Sequence, residues 1–175
     1  MISPVSQPFG DLIFIKKFPS KKNAVYLVER EGKSLILKLY DNDRWENEAY
    51  VLEAAANAHI PVSAVVEAKE KALLLSFIPG RSANDYLETE RMRETVLDVA
   101  KWLGLFHDAF REGDMVRIRS DAILKNFIVN DRIYGIDLEL SRMGRPEEDV
   151  GETLAYLLDA YPMFAPHKFE LAREF

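Results

Sequence analysis

The chain contains no cysteine, which excludes disulfide staples and thiolate-held zinc as supports for the fold; the absence fits a reducing, cytoplasmic setting. It has no apolar run long enough to cross a bilayer, and its most apolar stretch, KALLLSFIPG, is strand-sized. The opening MISPVSQPFG lacks the basic start and long apolar centre of a secretory signal. Positive charge is also short: 23 Lys and Arg stand against 29 Asp and Glu, a net charge of −6. Nonspecific nucleic-acid binding needs a basic face that displaces counterions, so nucleic acid is not an expected partner. No internal repeat or low-complexity linker is visible.

What remains is an ordinary globular mixture. The 175 residues are 48% hydrophobic and 30% charged, enough for one domain or two small lobes sharing an interface. DLIFIKKF, AVYLVE and SLILKLY are rich in branched and aromatic residues and separated by turn-prone FPSKKN and REGK, so three antiparallel strands are expected. Asp41, Asn42 and Asp43 offer capping side chains for a helix over RWENEAYVLEAAANA, with Trp45, Ala49, Leu52 and Ala56 on one stripe. SAVVEA and KALLLSFI complete a five-stranded sheet, ended by Pro79-Gly80.

The texture then changes. Met92, Val96, Val99, Leu103, Phe106 and Phe110 repeat at helical spacing. Two short strands follow, Phe127-Ile128-Val129 and one running from Ile133 to Asp137, then a helix around EEDVGETLAYLLDAY and a short helix in the tail.

Polar residues interrupt this pattern in a telling order. Lys38 shares a strand face with Ile36 and Tyr40, an uncomfortable place for a cation without a partner. Glu48, ten residues on at the edge of the helix stripe, is a suitable partner. Asp121 and Asn126 lie in a connection, and Asp137 ends the next strand. Phosphoryl transfer from ATP needs a cation held by a carboxylate, oxygen ligands for magnesium, and a carboxylate for the accepting hydroxyl. Each residue also has an ordinary alternative. Lys38 snorkels to water from an edge strand, Asp121 caps a turn, Asn126 bonds its own loop, and Asp137 merely ends a strand.

The ordered set resembles the protein-kinase-like superfamily, from protein kinases through minimal Rio-type and KEOPS-associated kinases to aminoglycoside and choline phosphotransferases. ILKLY resembles the strand of the ATP-binding lysine, NEAYVLEAA the first-lobe helix, LLLSFIPGRSANDYL the hinge, and WLGLFHDAF the end of the long second-lobe helix. IDLELSRMGRPEEDVGETLAYLL is closest to the aminoglycoside-kinase style, where Asp149 matches an aspartate that buttresses the catalytic loop. The likeness covers nearly the whole chain, and its force lies in the order of motifs that are weak singly.

The resemblance implies an α+β, two-lobed kinase-like domain over 1–175. Its first lobe spans about 1–78, with a five-stranded antiparallel sheet and a helix; its hinge is 79–82, and a reduced, mainly helical second lobe fills 83–175. It implies ATP and Mg2+ as cofactors. Lys38 and Glu48 join Asp121 as catalytic residues, and Lys38 lies with Phe77 and Ile78 at the nucleotide. Asn126 and Asp137 are the metal ligands. The implied activity moves the γ-phosphate to a hydroxyl of an unidentified protein or small-molecule acceptor.

Three departures favour the competing reading, a pseudokinase that binds nucleotide or protein without catalysis. The usual His-Gly-Asp or His-Arg-Asp is Arg119-Ser120-Asp121, the turn Ser20-Lys21-Lys22-Asn23 has no glycine, and the second lobe is short. Lys21 and Lys22 offer charge in place of glycine. Gly32-Lys33-Ser34 is not a Walker loop, since it precedes a strand. His59, His107 and His167 are too scattered for a metal triad, and His107 is expected to be packed. A third class, a structural protein, would keep Lys38–Glu48 only as a buried pair.

Overall fold

The computed structural model describes residues 8–20 and 22–175. Strands β1 (Ile13–Phe18), β2 (Ala24–Arg30) and β3 (Lys33–Leu39) pair in antiparallel succession. Between β2 and β3 the chain reverses through Glu31 at φ 52° and Gly32 at φ 73°, the left-handed pair whose twist matches that of the flanking strands. Helix α1 (Arg44–Asn57) follows, then β4 (Val65–Lys69) and β5 (Ala72–Ser76). The sheet order is β1-β2-β3-β5-β4, the five-stranded antiparallel sheet expected from the sequence.

Alternation along β3 decides what each face does. Leu35 and Leu37 join Phe9, Leu12, Val28, Ala72 and Leu74 in a core on one side of the sheet. Ile36 and Lys38 therefore point to the other side, into a cleft. Placing Lys38 on that face is a consequence of strand period alone.

The second half begins with β6 (Arg81–Ser82) and a 3-10 turn, Ala83–Tyr86, capped by the Ser82 hydroxyl. Helix α2 (Met92–Ala109) buries Met92, Val96, Val99, Leu103 and Phe106 as their spacing requires, with Trp102 beside them. Then come β7 (Arg111–Glu112), β8 (Met115–Ile118), a 3-10 turn Leu124–Asn126, β9 (Phe127–Val129), β10 (Ile133–Gly135) and β11 (Arg142–Gly144). Helices α3 (Pro146–Asp159) and α4 (Pro166–Glu174) close the chain. Two small sheets result, β10-β9-β6 and β11-β8-β7.

Five details differ from the sequence reading. The buried side of α1 is Glu48, Ala49, Val51, Leu52 and Ala55, while Ala56 is exposed, so Glu48 is central to the stripe and not at its edge. Asp43 is the N-cap without a side-chain bond; the Asn42 side-chain Oδ1 instead accepts from the Arg44 amide at 2.9 Å. Strand β10 stops at Gly135, two residues before Asp137. Arg81–Ser82 is no bare connection but pairs with β9, and the hairpin β7–β8 was not anticipated.

One core joins the two halves: Leu52, Ala55, Leu73 and Leu75 pack in the same cluster as Val99, Trp102, Phe106, Leu124 and Leu138. Pro61 is a junction, its carbonyl accepting from the Trp102 indole at 2.8 Å and the Gly135 amide at 3.1 Å. A Cβ at Gly135 would lie 2.3 Å from the Trp102 ring, far inside contact distance. Gly135→Ala is therefore expected to cost about 1–3 kcal/mol of stability, read as a lower urea midpoint at unchanged slope.

Candidate functional site

Lys38 ends in a nest of acids. Its ammonium lies 2.6 Å from Glu48 Oε2, 2.6 Å from Asp137 Oδ1 and 3.2 Å from Glu139 Oε2. Burial alone would depress the lysine, but the pull of the three carboxylates outweighs it and raises its pKa, so the ammonium stays charged. Burial lifts the pKa of Glu48, against the opposing pull of Lys38. Glu48 is otherwise well satisfied: Oε2 accepts from the Tyr40 hydroxyl at 2.6 Å and Oε1 from the Leu138 amide at 3.3 Å. Burial and the neighbouring Glu48 push the Tyr40 hydroxyl far up, so it acts only as a donor.

Helix α1 also grips the segment beyond Asp137. The Asn47 amide donates to the carbonyls of Glu139 at 3.1 Å and Ser141 at 2.9 Å. Asp137 itself adopts φ 61°, a left-handed conformation uncommon outside glycine. The chain bends sharply there and turns its carboxylate back to Lys38.

A second polar network carries the connection from Arg119 to Asn126. Asp149, fully buried on α3, accepts the Arg119 amide at 2.8 and 3.0 Å and the Ser120 amide at 3.1 Å, and contacts His107 Nε2 at 2.8 Å. Two further α3 residues hold Ala122: Glu152 accepts its amide at 2.7 Å and the Thr153 hydroxyl donates to its carbonyl at 2.6 Å. Asp121 is thus fixed from both sides through backbone, while its own carboxylate bonds to no described residue. The Asn126 amide donates to the Asp121 carbonyl at 3.0 Å.

Arg119 is wholly buried. Its Nη2 donates to the carbonyls of Ile136 at 2.6 Å and Asn126 at 3.3 Å, and its guanidinium lies 4.2 Å from the Phe127 ring centre and 5.2 Å from that of Trp102. Burial lowers its pKa to about 10, which leaves it charged at neutral pH. The arginine thus ties the residue before Asp137 to Asn126.

One cleft of about 1040 Å³ lies between the sheet and the second half. Lys38, Glu48, Phe77, Ile78, Asn126 and Asp137 all line it; Asp121 is not among the lining residues. Oxygens of Glu48, Asp137 and Glu139 lie within 4.8 Å of one another. Lys38 and Tyr40 already engage Glu48, and Glu139 is buried against Asn23 and Lys38, so the side-chain oxygens lining the cleft for a hard cation are those of Asp137 and Asn126. Oxygen-only donors of this kind suit magnesium.

No protein-family model matches the sequence, and no curated protein matches it. Solved structures do. Aminoglycoside-3′-phosphotransferase of type VIII superposes with a TM-score of 0.73 at 17% identity, over 94% of this chain and 84% of that one. The fold is protein-kinase-like. A thermostable mutant of aminoglycoside phosphotransferase APH(4)-Ia, in ternary complex with ADP and hygromycin B, matches at 0.71 and 14% identity over 95% and 77% of the two chains. Ethanolamine kinase from Plasmodium vivax matches at 0.70 and 13% identity over 94% and 68%.

Within the kinase-like fold, the sequence reading missed two participants. Glu139, inside IDLELSRMGRPEEDVGETLAYLL, takes no role from the sequence, yet it reaches Lys38. Asn23, read only as part of a glycine-free turn, is buried and donates to Glu139. The turn is therefore clasped onto the segment after Asp137. Lys22 is exposed, and Lys21 lies outside the described residues. No helix among the described residues is long and apolar enough to cross a membrane.

Proposed function

We propose that the chain is an ATP- and magnesium-dependent phosphotransferase that moves the γ-phosphate to a hydroxyl, its two lobes meeting at 79–82. The observation carrying this reading is the convergence of Lys38, Glu48, Asn126 and Asp137 on one cleft, from positions far apart in the sequence. In this reading Phe77 and Ile78 flank the nucleotide base. Glu48 orients the Lys38 ammonium toward the α- and β-phosphates. Asn126 and Asp137 hold the metal, which supplies charge neutralisation on the phosphates when bound. Asp121 orients the acceptor hydroxyl and takes its proton as the oxygen attacks.

The acceptor is a protein or a small molecule. Aminoglycoside and ethanolamine kinases share the fold, and fold alone does not choose among acceptors. The clasped, glycine-free turn at Asn23 favours one alternative, a pseudokinase that binds nucleotide without transferring phosphate.

Calorimetric titration of ATP with and without magnesium tests the reading. Wild type is expected to bind magnesium-ATP in the micromolar to low-millimolar range, and Asp137→Asn to lose the magnesium dependence. Equal binding with and without the metal would favour the pseudokinase, and no binding at millimolar ATP would overturn both.

A further inference from the structure

The wall of the cleft holds a polar group that the phosphoryl chemistry does not use. Ser63 lines the cleft although it is only 6% exposed, and its hydroxyl bonds to no described residue. A buried hydroxyl without a partner costs free energy, and here its open side is the cleft itself. Val25, Ile36, Leu75, Phe77 and Ile136 line the cleft with it, and their apolar side chains offer it nothing to bind.

The backbone fixes Ser63 from both sides. Before it, Val62 bridges to Gly135. After it, the Ser76 amide donates to the Ala64 carbonyl at 2.9 Å, and the Ala64 amide donates to the Ser76 hydroxyl at 2.9 Å. Strands β4 and β5 pair antiparallel with Val65 opposite Leu75. The Ala64–Ser76 contact carries that ladder on, so Ser63 comes opposite Phe77. Opposed residues of an antiparallel pair share a face, which is why both side chains reach the cleft. A hydroxyl held in this way is preorganised for a polar group that enters beside Phe77.

The identity of that group follows from the shape of a purine nucleotide. With its phosphates at Lys38, the base is joined to them through its five-membered ring, so the six-membered ring leads into the wall. The leading edge carries the 6-substituent: an amine in adenine, a carbonyl in guanine. A backbone amide or carbonyl reads one of these and rejects the other, whereas a rotatable hydroxyl donates or accepts. Resting on the phosphotransferase reading, we infer that Ser63 is a specificity-determining residue, whose hydroxyl meets the purine 6-substituent and admits both ATP and GTP to the site. It accepts from the adenine amine and, turned about its Cβ–Oγ bond, donates to the guanine carbonyl.

The test is a pair of thermodynamic cycles, read by calorimetry on wild type and Ser63→Ala with magnesium present. One compares ATP with purine riboside triphosphate, which lacks the 6-amine. The other compares GTP with 2-aminopurine riboside triphosphate, which lacks the 6-carbonyl; the accompanying change at N1 is common to both proteins and cancels. Because the hydroxyl has no described protein partner, Ser63→Ala should keep the wild-type melting temperature. Wild type is expected to bind magnesium-GTP within about tenfold of magnesium-ATP. In each cycle, loss of the 6-substituent should weaken binding to wild type more than to Ser63→Ala. The difference should be about 2- to 12-fold, the worth of one hydrogen bond.

Absence of coupling in either cycle, or a wild type that binds ATP and not GTP, would overturn the role of Ser63 while leaving the phosphotransferase reading intact. A wild type that binds no magnesium-nucleotide would overturn both.

Discussion

Lys38→Met is expected to reduce phosphoryl transfer by at least about 10²–10³-fold, the scale for losing one preorganised electrostatic contact, and to destabilise the protein as well. Methionine keeps most of the lysine's length but removes the charge that Glu48, Asp137 and Glu139 surround. Breaking a buried ion pair from one side costs about 3–5 kcal/mol, because the remaining charge stays desolvated. Partial exposure of Asp137 moderates its share, so most of the penalty falls on the buried Glu48 and Glu139.

The pH dependence gives this expectation a sign. Burial already raises the pKa of Glu48, with Lys38 pulling it down; removing the ammonium raises it further. A carboxyl with a raised folded-state pKa binds protons more tightly folded than unfolded, so stability is regained as pH falls. Urea unfolding of Lys38→Met at about pH 8 and about pH 5 should therefore show a smaller deficit against wild type at the lower pH. Lys38→Arg should not rescue activity, since a planar fork cannot reproduce three contacts made by a compact ammonium. A fully active Lys38→Met would remove the basis for reading the cluster as a phosphate site.

The second large effect is expected at Asp149. Asp149→Asn preserves volume but replaces a carboxylate oxygen with an NH2 group, in a site already filled by donors from Arg119, Ser120 and His107. A loss of about 3–5 kcal/mol follows from removing a buried charge whose partners remain, equivalent to a melting temperature lower by roughly 6–20 °C for a chain of this size. Activity at permissive temperature should fall further than nucleotide affinity. The variant loosens the connection bearing Asp121 while leaving Lys38, Phe77 and Ile78 in place. Thermal melts and steady-state kinetics on one preparation separate the two effects. A melting temperature within a degree or two of wild type would show that the loop is held by other means.

The legible parts of the sequence were those carried by period and order. Strand alternation put Lys38 on the cleft side of β3, and seven-residue repeats located the buried face of α2. Phase was harder in α1: Ala54, Ala55 and Ala56 are chemically identical, so the pattern could not say which faced inward, and Glu48 was placed one step too far out. The hairpin β7–β8 is too short to establish a period. Asn23 and Glu139 were out of reach for a different reason. Each is polar, each sits in a connection, and their contact joins residues 116 apart; nothing local marks either as buried. In the sequence Arg119 is only a departure from the expected triplet, because its two carbonyl partners exist only once the chain has folded over it.

That separation along the chain has a consequence for how the protein acquires its shape. Hairpin β2–β3 and the Lys38–Glu48 pair use neighbours within about a dozen residues, so they form early at little cost in loop closure. Asp137 lies 99 residues from Lys38 and can join only when the second half has docked. The acidic nest is therefore a late event in folding, and an N-terminal fragment ending near Ser82 would carry its lysine in a half-built setting with one carboxylate in place of three. During synthesis the lysine emerges long before the aspartate that completes its setting.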